Sequence, residues 1–595
     1  MILEYFFGTG LWRVGWAVGD LPQWSSALRG GRFCGIWFSV VASSILFFSP
    51  LQAKVLRVDD FGAMGDGKKD DIAAVVAAVK ALKDAGPGSR LEFTSGKTYR
   101  LGTHEGCIYQ IDLQGLKDLT VDGQGAMLLT TPQQAALRIK DCEGVMVCNF
   151  VIEQDPLSFT QGVVTKISPQ DGWFDIKIMA GYPPLPTPKQ RQERGFMQWE
   201  WGSFVDPQLR RIRRGVRDHF RVEKIDLLEN GQARVQVQDS FVKDLGTVRR
   251  GDIYVQALEY NTRSRLEKLN ESPFAYNISI ENSADCILEN VTLYSGRSSM
   301  TSLIQNNHGR ITFRGFKVMV RPGTDRVISN WRDGMHCKDN RVGPLIEHCY
   351  FESLLDDSIN MSQNTMMAEK IISPDTFRLT KHPGPMVRWT KESAMVREGD
   401  RLMVLYPTTG EYLGPFKVTK VGDDLQTVTL DQPLKNVVTG RIVPDADANA
   451  THFYNLDQSN AGFIIRNNIF GPQRRHAILA RSQNGLIENN LIVGTGGTAI
   501  ELSNEFGTFY EGPIARNVII RNNTIRDCYG TPIIVGSATG KNATRQARVI
   551  RITDNLIETA ESPAIRISNA QDIVLENNRF IRPDGTALPD PVQED

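Results

Sequence analysis

Cysteine is scarce in this sequence, at 8 of 595 residues, and no two cysteines stand as a CxxC pair. That excludes a disulfide scaffold and leaves structural zinc without its usual ligand spacing. Net charge is lacking as well. Lys+Arg and Asp+Glu both number 68, so no global positive field draws the chain onto nucleic acid. Apolar residues at 41% and charged residues at 23% are an ordinary globular balance, which excludes disorder and a polytopic membrane protein. What the chain has in quantity is glycine, 52 residues, and Asn-Asn pairs such as Asn467-Asn468 and Asn489-Asn490, both signs of many turns. At several times the usual ~150 residues per domain, more than one structural unit is expected.

An apolar run, Phe33 to Ser49, follows the basic Arg29 and Arg32 and precedes Leu51-Gln52-Ala53, a small-residue cleavage site. The run is marginal for a bilayer span and ends in Pro50 rather than in a charged flank. Residues 1–53 therefore read as an export signal, with an uncleaved anchor as the alternative. Residues 1–28 are long for such a leader, which places the true start downstream of Met1. The expected location is secreted or periplasmic, with no stable membrane span once the signal is removed. Loss of Cys34 leaves an odd number of cysteines, so most are expected to be buried small hydrophobes.

A short phrase recurs: aliphatic residues, a polar residue, Asn-Asn or a small equivalent, then aliphatic again. It stands at Ile287–Val291, Phe313–Phe316, Leu345–Cys349 and Ile465–Ile469. Aligned on Asn290, Gly315, Cys349, Asn468, Asn490, Asn523, Asn555 and Asn578, its steps are 25, 34, 119, 22, 33, 32 and 23. A period in the low twenties, built from short strands with no helical stretch between them, marks a β-solenoid; the LxxLxLxxN spacing of a leucine-rich repeat is absent. The fold expected is all-β, a right-handed parallel β-helix.

Gly123 and Asn149 extend the series upstream, and the steps from Asn149 to Asn290 and from Cys349 to Asn468 are too long for one coil. Each holds about a hundred inserted residues with strand and turn signals, read as a small β-barrel or sandwich. The expected layout is a cap and first coils at 54–162, an inserted β module at 163–270, catalytic coils at 271–364, a second module at 365–455, and C-terminal coils and tail at 456–595. Ile72, Val75, Val76, Val79 and Leu82 predict an amphipathic helix that ends at Gly86-Pro87-Gly88 and covers the open first coil. The Asp66–Asp71 cluster before it lacks the distal bidentate Glu of a calcium loop and reads as an N-capping turn. The basic cluster Arg210–Arg217 reads as a solvated face.

Neighbouring strands in such a solenoid lie ~4.8 Å apart, so equivalent positions form a column on one face. Counting from the repeat residue gives the column Arg297, Asp333, Asp356/Asp357, Arg475/His476, then Gly497 and Gly530. Three carboxylates so close repel when ionised, which pushes one pKa up and creates an acid and a base in one cleft. Such a set suits glycosidic bond hydrolysis, which needs a proton for the leaving oxygen and a base for water. The alternative is a solvent-facing Asp ladder balanced by Arg297 and Arg475.

Trp331-Arg332-Asp333-Gly334-Met335-His336, Arg341–Pro344 and Asp356-Asp357-Ser358-Ile359-Asn360-Met361 resemble glycoside hydrolase family 110, and Asp155–Gly162 is similar to a further family segment. The resemblance spans most of residues 54–580. It implies an exo-acting α-1,3-galactosidase that inverts the anomeric centre, on a β-helix carrying inserted β-barrels, with no metal or other cofactor. By that resemblance Asp356 is the general acid, while Asp333 and Asp357 hold the attacking water. The implied partner is a glycan ending in α-linked galactose, with a second copy of the chain left open.

Around the carboxylates, Trp331 is a candidate for stacking on a sugar ring or packing on its neighbours. His336 and Asn360 are candidates for hydroxyl contacts or support, and His476, Arg297 and Arg475 for substrate contacts. Cys337 and Cys349 read as core residues, because no basic triad surrounds them. Competing readings are a polygalacturonase-like hydrolase, for which Arg297, Arg475 and Lys338 would bind uronate, a calcium-dependent polysaccharide lyase, and a non-catalytic glycan-binding solenoid.

Overall fold

The computed structural model describes residues 53–186, 201–258, 276–297, 300–381, 395–440, 449–505, 507, 509–540, 542 and 544–595. The signal segment through Gln52 lies outside them.

After a first turn in which the helix Ile72–Ala85 stands in place of the third strand, each coil contributes one short strand to each of three long sheets, visited in the same order every turn. Within all three, successive coils pair in parallel. The all-β parallel helix expected from the repeats is therefore the fold. Alternation points one set of side chains inward, where Leu288, Phe313, Ile346, Ile465, Ile487, Ile520 and Ile552 stack with no exposure. Six of the seven described cysteines are buried, Cys337 and Cys349 among them, and all seven are unbridged. The helix Ile72–Ala85 buries Ile72, Val75 and Leu82 on the first coils. Its first-turn Ile72 amide donates to Asp70 Oδ1 (3.0 Å), whereas Asp71 turns back to accept from the Met64 and Gly65 amides.

The Asn-centred alignment needs one correction. Register pairs Leu288, Phe313, Ile346 and Ile465 in sequence, which makes Asn290 and Gly315 equivalent to His348 and Asn467 rather than to Cys349 and Asn468. The phrase holds two adjacent polar positions with different jobs. The first turns the corner with positive φ, as at Asn290 (52°), Gly315 (63°), His348 (56°) and Asn467 (56°). The second points inward and forms a ladder: Nδ2 of Asn468 donates to Asn490 Oδ1 (3.0 Å), Asn490 to Asn523 (2.9 Å), Asn523 to Asn555 (3.0 Å) and Asn555 to Asn578 (2.9 Å). Asn490 also donates to the Ile465 carbonyl (3.0 Å), so Asn490→Ala strands several buried polar groups. That substitution is expected to cost about 2–4 kcal/mol, since each buried group left unsatisfied costs ~1–3 kcal/mol. Asn578→Ala, at the less buried end of the ladder, is expected to cost less, as read from urea midpoints.

Two insertions interrupt the coils. The first, from Phe159–Ser168 to Ile253–Ala257, is a closed antiparallel barrel of six strands, with the short strand Arg211–Ile212 added at its edge, around Phe174, Phe204, Phe220 and Tyr254. It replaces one turn between the second and third sheets. The second, a six-stranded closed barrel from Met366–Ser373 to His452–Asn455, replaces a turn between the third and first sheets. The basic cluster is only partly a solvated face: Arg210, Arg214 and Arg217 are exposed, but the cluster also makes ion pairs. Arg211 pairs with Asp527 (2.6 Å), Arg214 with Glu561 (3.2 Å) and Arg213 with Asp252 (2.6 Å), so it ties the first barrel to itself and to the C-terminal coils.

Candidate active site

The turns leading into the third sheet carry the carboxylates. Met335, Ile359, Ile478 and Ile500 pair in register across four coils. Two residues earlier on each coil stand Asp333, Asp357, His476 and Thr498; three residues earlier stand Arg332, Asp356, Arg475 and Gly497. The single column read from the sequence is thus two adjacent rows. Backbone bonds repeat this pairing, with the Gly334 amide on the Asp357 carbonyl (2.9 Å) and the Ser358 amide on that of His476 (2.9 Å). Arg297 does not belong to either row. Ser302 pairs with Met335, so the position equivalent to Asp333 on the preceding coil is Met300. Arg297 is buried further back, its amide donating to Asn277 Oδ1 (2.6 Å). The extra residues of that turn were invisible to a count from the repeat.

One oxygen from each of Asp333, Asp356 and Asp357 lies within 4.8 Å of the others. Asp333 and Asp357 are 3% and 6% exposed, while Asp356 is only half-buried. Asp333 shares a 2.6 Å hydrogen bond with His336 Nδ1. Burial, then the charges of Asp356 and Glu511, push the Asp333 carboxyl well above the usual range. Asp357 accepts from the His476 amide at Oδ1 (3.1 Å) and from Asn360 Nδ2 at Oδ2 (3.3 Å). Burial, with Asp356 and Asp333 beside it, nevertheless raises it to about 7 against the pull of His476 and Arg475. His336 is held neutral, its pKa pushed down to about 3 by burial and by Lys338. Asp333 and Asp357 interact directly, so the two titrate as a pair that retains a proton at neutral pH.

The linkage of Asp357 to stability has a definite sign. Its folded pKa lies above the unfolded one, so its contribution is full below about pH 4 and is lost as pH rises through about 7. Asp357→Asn is therefore expected to gain melting temperature relative to the natural protein as pH is raised from 4 to 8. A constant difference across that range would contradict the burial argument.

His336 and Asn360 lie on the outward face of the paired strands Met335–Lys338 and Ile359–Asn364, flanking the carboxylates as the sequence suggested. The Oδ1 of Asn360 is buried without a hydrogen-bond partner among the described residues. His476 Nδ1 stands 3.5 Å from Glu501 Oε2. Arg475 is half-exposed, 3.6 Å from Asp218 Oδ2. Trp331 does not offer a sugar-stacking face: it is 3% exposed and packs on Trp201 of the first barrel, with ring centroids 4.6 Å apart. The loop that carries it, with Val327 and Ile328, is the seat on which that barrel rests.

Sequence reasoning missed Arg474, which donates to Asp356 Oδ1 (3.1 Å) and to Asp218 Oδ2 (2.6 Å). Its adjacency to Arg475 was the available signal. Asp218 comes from the barrel and had none; although burial opposes it, the His219 hydrogen bond and Arg474 hold its carboxyl well below the usual range. Also missed was Glu511, which returns antiparallel onto Gln363–Asn364 and binds both Lys338 and Arg481. Burial notwithstanding, those two cations lower Glu511 to about 2. The three close carboxylates are also the residues that could hold a hard cation, if one binds.

A family profile described as "Right handed beta helix region" matches residues 454–588. Over most of its length the chain is similar to "Alpha-1,3-galactosidase B" of Bacteroides thetaiotaomicron, 21% identical across 89% of this chain and 86% of the relative. It is also similar to "Alpha-1,3-galactosidase B" of Akkermansia muciniphila, 23% identical across 89% of this chain and 66% of that one. These similarities support the resemblance to glycoside hydrolase family 110 read from the sequence. Among solved structures, the Yersinia enterocolitica family 28 exopolygalacturonase aligns over 90% of this chain and 79% of its own, with a TM-score of 0.39 and 12% identity.

Proposed function

We propose that the chain is an exo-acting, inverting α-1,3-galactosidase that releases terminal α-1,3-linked galactose from glycans. The observation that carries this reading is the carboxyl cluster: three aspartates share one face, two buried and one half-buried. Asp356, the accessible one, is the general acid at the glycosidic oxygen. Asp333 and Asp357, fixed by His336, Asn360 and the His476 amide, hold the attacking water, and whichever of the pair is ionised takes its proton. Their burial suits them to position water better than to form a bond with the sugar carbon. Exo action is what the family resemblance implies. The relatives named α-1,3-galactosidases supply the linkage.

A retaining mechanism is the second reading, because the 4.8 Å limit between carboxylate oxygens is shorter than the ~6.5–9.5 Å typical of inverting pairs and near the ~5–5.5 Å of retaining ones. Proton NMR of the first product from an α-1,3-galactosyl disaccharide separates them. β-Galactose is expected first; initial α-galactose would establish retention. A chelator is expected to leave the rate unchanged, since carboxylates alone carry the proposed chemistry. Chelator-sensitive release of an unsaturated uronate would replace the hydrolase with a lyase.

A further inference from the structure

A cavity of about 330 Å³ lies between the first barrel and the C-terminal coils, lined by Leu209, Arg211 and Arg214 on one side and by Tyr529, Ala560 and Pro583 on the other. It sits on the same line of turns as the carboxylates. The Arg474 amide bonds the Leu354 carbonyl (3.0 Å), the Gly496 amide that of Gln473 (2.8 Å), and the Tyr529 amide that of Thr495 (2.9 Å). The turns of Asp357, His476, Thr498 and Thr531 are therefore consecutive, and Tyr529 lies three coils, or about 14 Å, beyond Asp357. Glycine keeps the intervening turns low: a Cβ at Gly496 would meet the Arg474 carbonyl oxygen at 2.2 Å, and one at Gly530 would meet the Gly497 carbonyl carbon at 2.9 Å. The barrel borders the same stretch, with Asp218 against Arg474 and Arg211 against Asp527.

We propose that this cavity is a distal aglycone subsite, which holds a neutral sugar unit of an extended glycan whose terminal galactose lies at Asp333, Asp356 and Asp357. The assignment rests on the galactosidase reading and extends it to chain length. Arg211 and Arg214 each stand 4.9 Å from the Tyr529 ring centroid, and each is already matched by a carboxylate, at 2.6 Å from Asp527 and 3.2 Å from Glu561. Matched charges give an anionic ligand little net attraction. They still leave donors and acceptors side by side, the pattern a sugar diol completes. The Nε of Arg211 is buried without a partner among the described residues. Leu209, Ala560 and Pro583 add the apolar surface that a sugar's C–H face covers.

The test uses the full chain with two substrates sharing one terminal linkage, α-1,3-galactobiose and a neutral linear pentasaccharide ending in that disaccharide. Galactose release is followed for the natural protein, for Tyr529→Ala, and for Ala560→Trp, which fills the cavity from an exposed position without removing a polar group. The natural protein is expected to show the lower KM on the pentasaccharide. Both variants are expected to raise that KM about 5- to 10-fold with kcat unchanged and to leave the disaccharide unaffected, the pattern of lost uniform binding. Equal KM values for the two substrates in the natural protein overturn the subsite while leaving the galactosidase reading intact. So does a rise shared equally by both substrates in the variants. No galactose from either substrate overturns the galactosidase reading and the subsite together.

Discussion

Asp356→Asn is expected to slow release of galactose from an α-1,3-galactosyl disaccharide by about 10²–10⁴-fold, the usual loss when a general acid is removed. The substitution keeps an oxygen for Arg474, which donates to Asp356 at 3.1 Å, so the cleft keeps its shape. An aryl α-galactoside leaves without needing that proton, and its rate, if the substrate is accepted, should fall much less. Arg474 adds a feature of its own. Its guanidinium bridges Asp356 and Asp218 of the first barrel, which fixes the acid's position beside Asp333 and Asp357. Near-natural activity of Asp356→Asn on the disaccharide would remove it as the acid.

Asp333→Asn should differ by impairing both substrates alike, again by about 10²-fold or more, because water must be activated whichever group leaves. Asp333 joins the carboxyl group to the floor of the third sheet: its 2.6 Å bond to His336 and the nearby Glu511 charge connect it to the Lys338–Glu511–Arg481 cluster. Rates on the two substrates distinguish the roles directly. A loss on the disaccharide with the aryl substrate spared would make Asp333 the acid instead of Asp356.

Much of this was legible along the chain because a solenoid turns sequence period into spatial adjacency. Asp333 and Asp356 stand 23 residues apart, one coil, and the structure brings their carboxylates together. Legibility failed where the period was broken. The slip between Asn290 and Asn467 arose because the corner residue and the ladder residue are both asparagine-like neighbours, one selected for positive φ and one for inward hydrogen bonding. The misplacement of Arg297 arose from turn residues that change the count between the second and third sheets.

By itself the sequence determined the parallel helix, its capping helix, the two interruptions and the grouping of the aspartates, since all of these follow from short-range periodicity and strand spacing. Only the tertiary structure decided which face the inserted barrels cover. It turned Trp331 from a candidate sugar platform into a barrel seat, made Arg210–Arg217 a docking strip, and delivered Asp218 to Arg474 across 256 residues of sequence. It also brought Glu511 back onto the third sheet to hold Lys338 and Arg481. The physical reason is that these contacts depend on how a rigid barrel leans on a coil surface. No repeat period encodes that; the shape and charge of the two surfaces do.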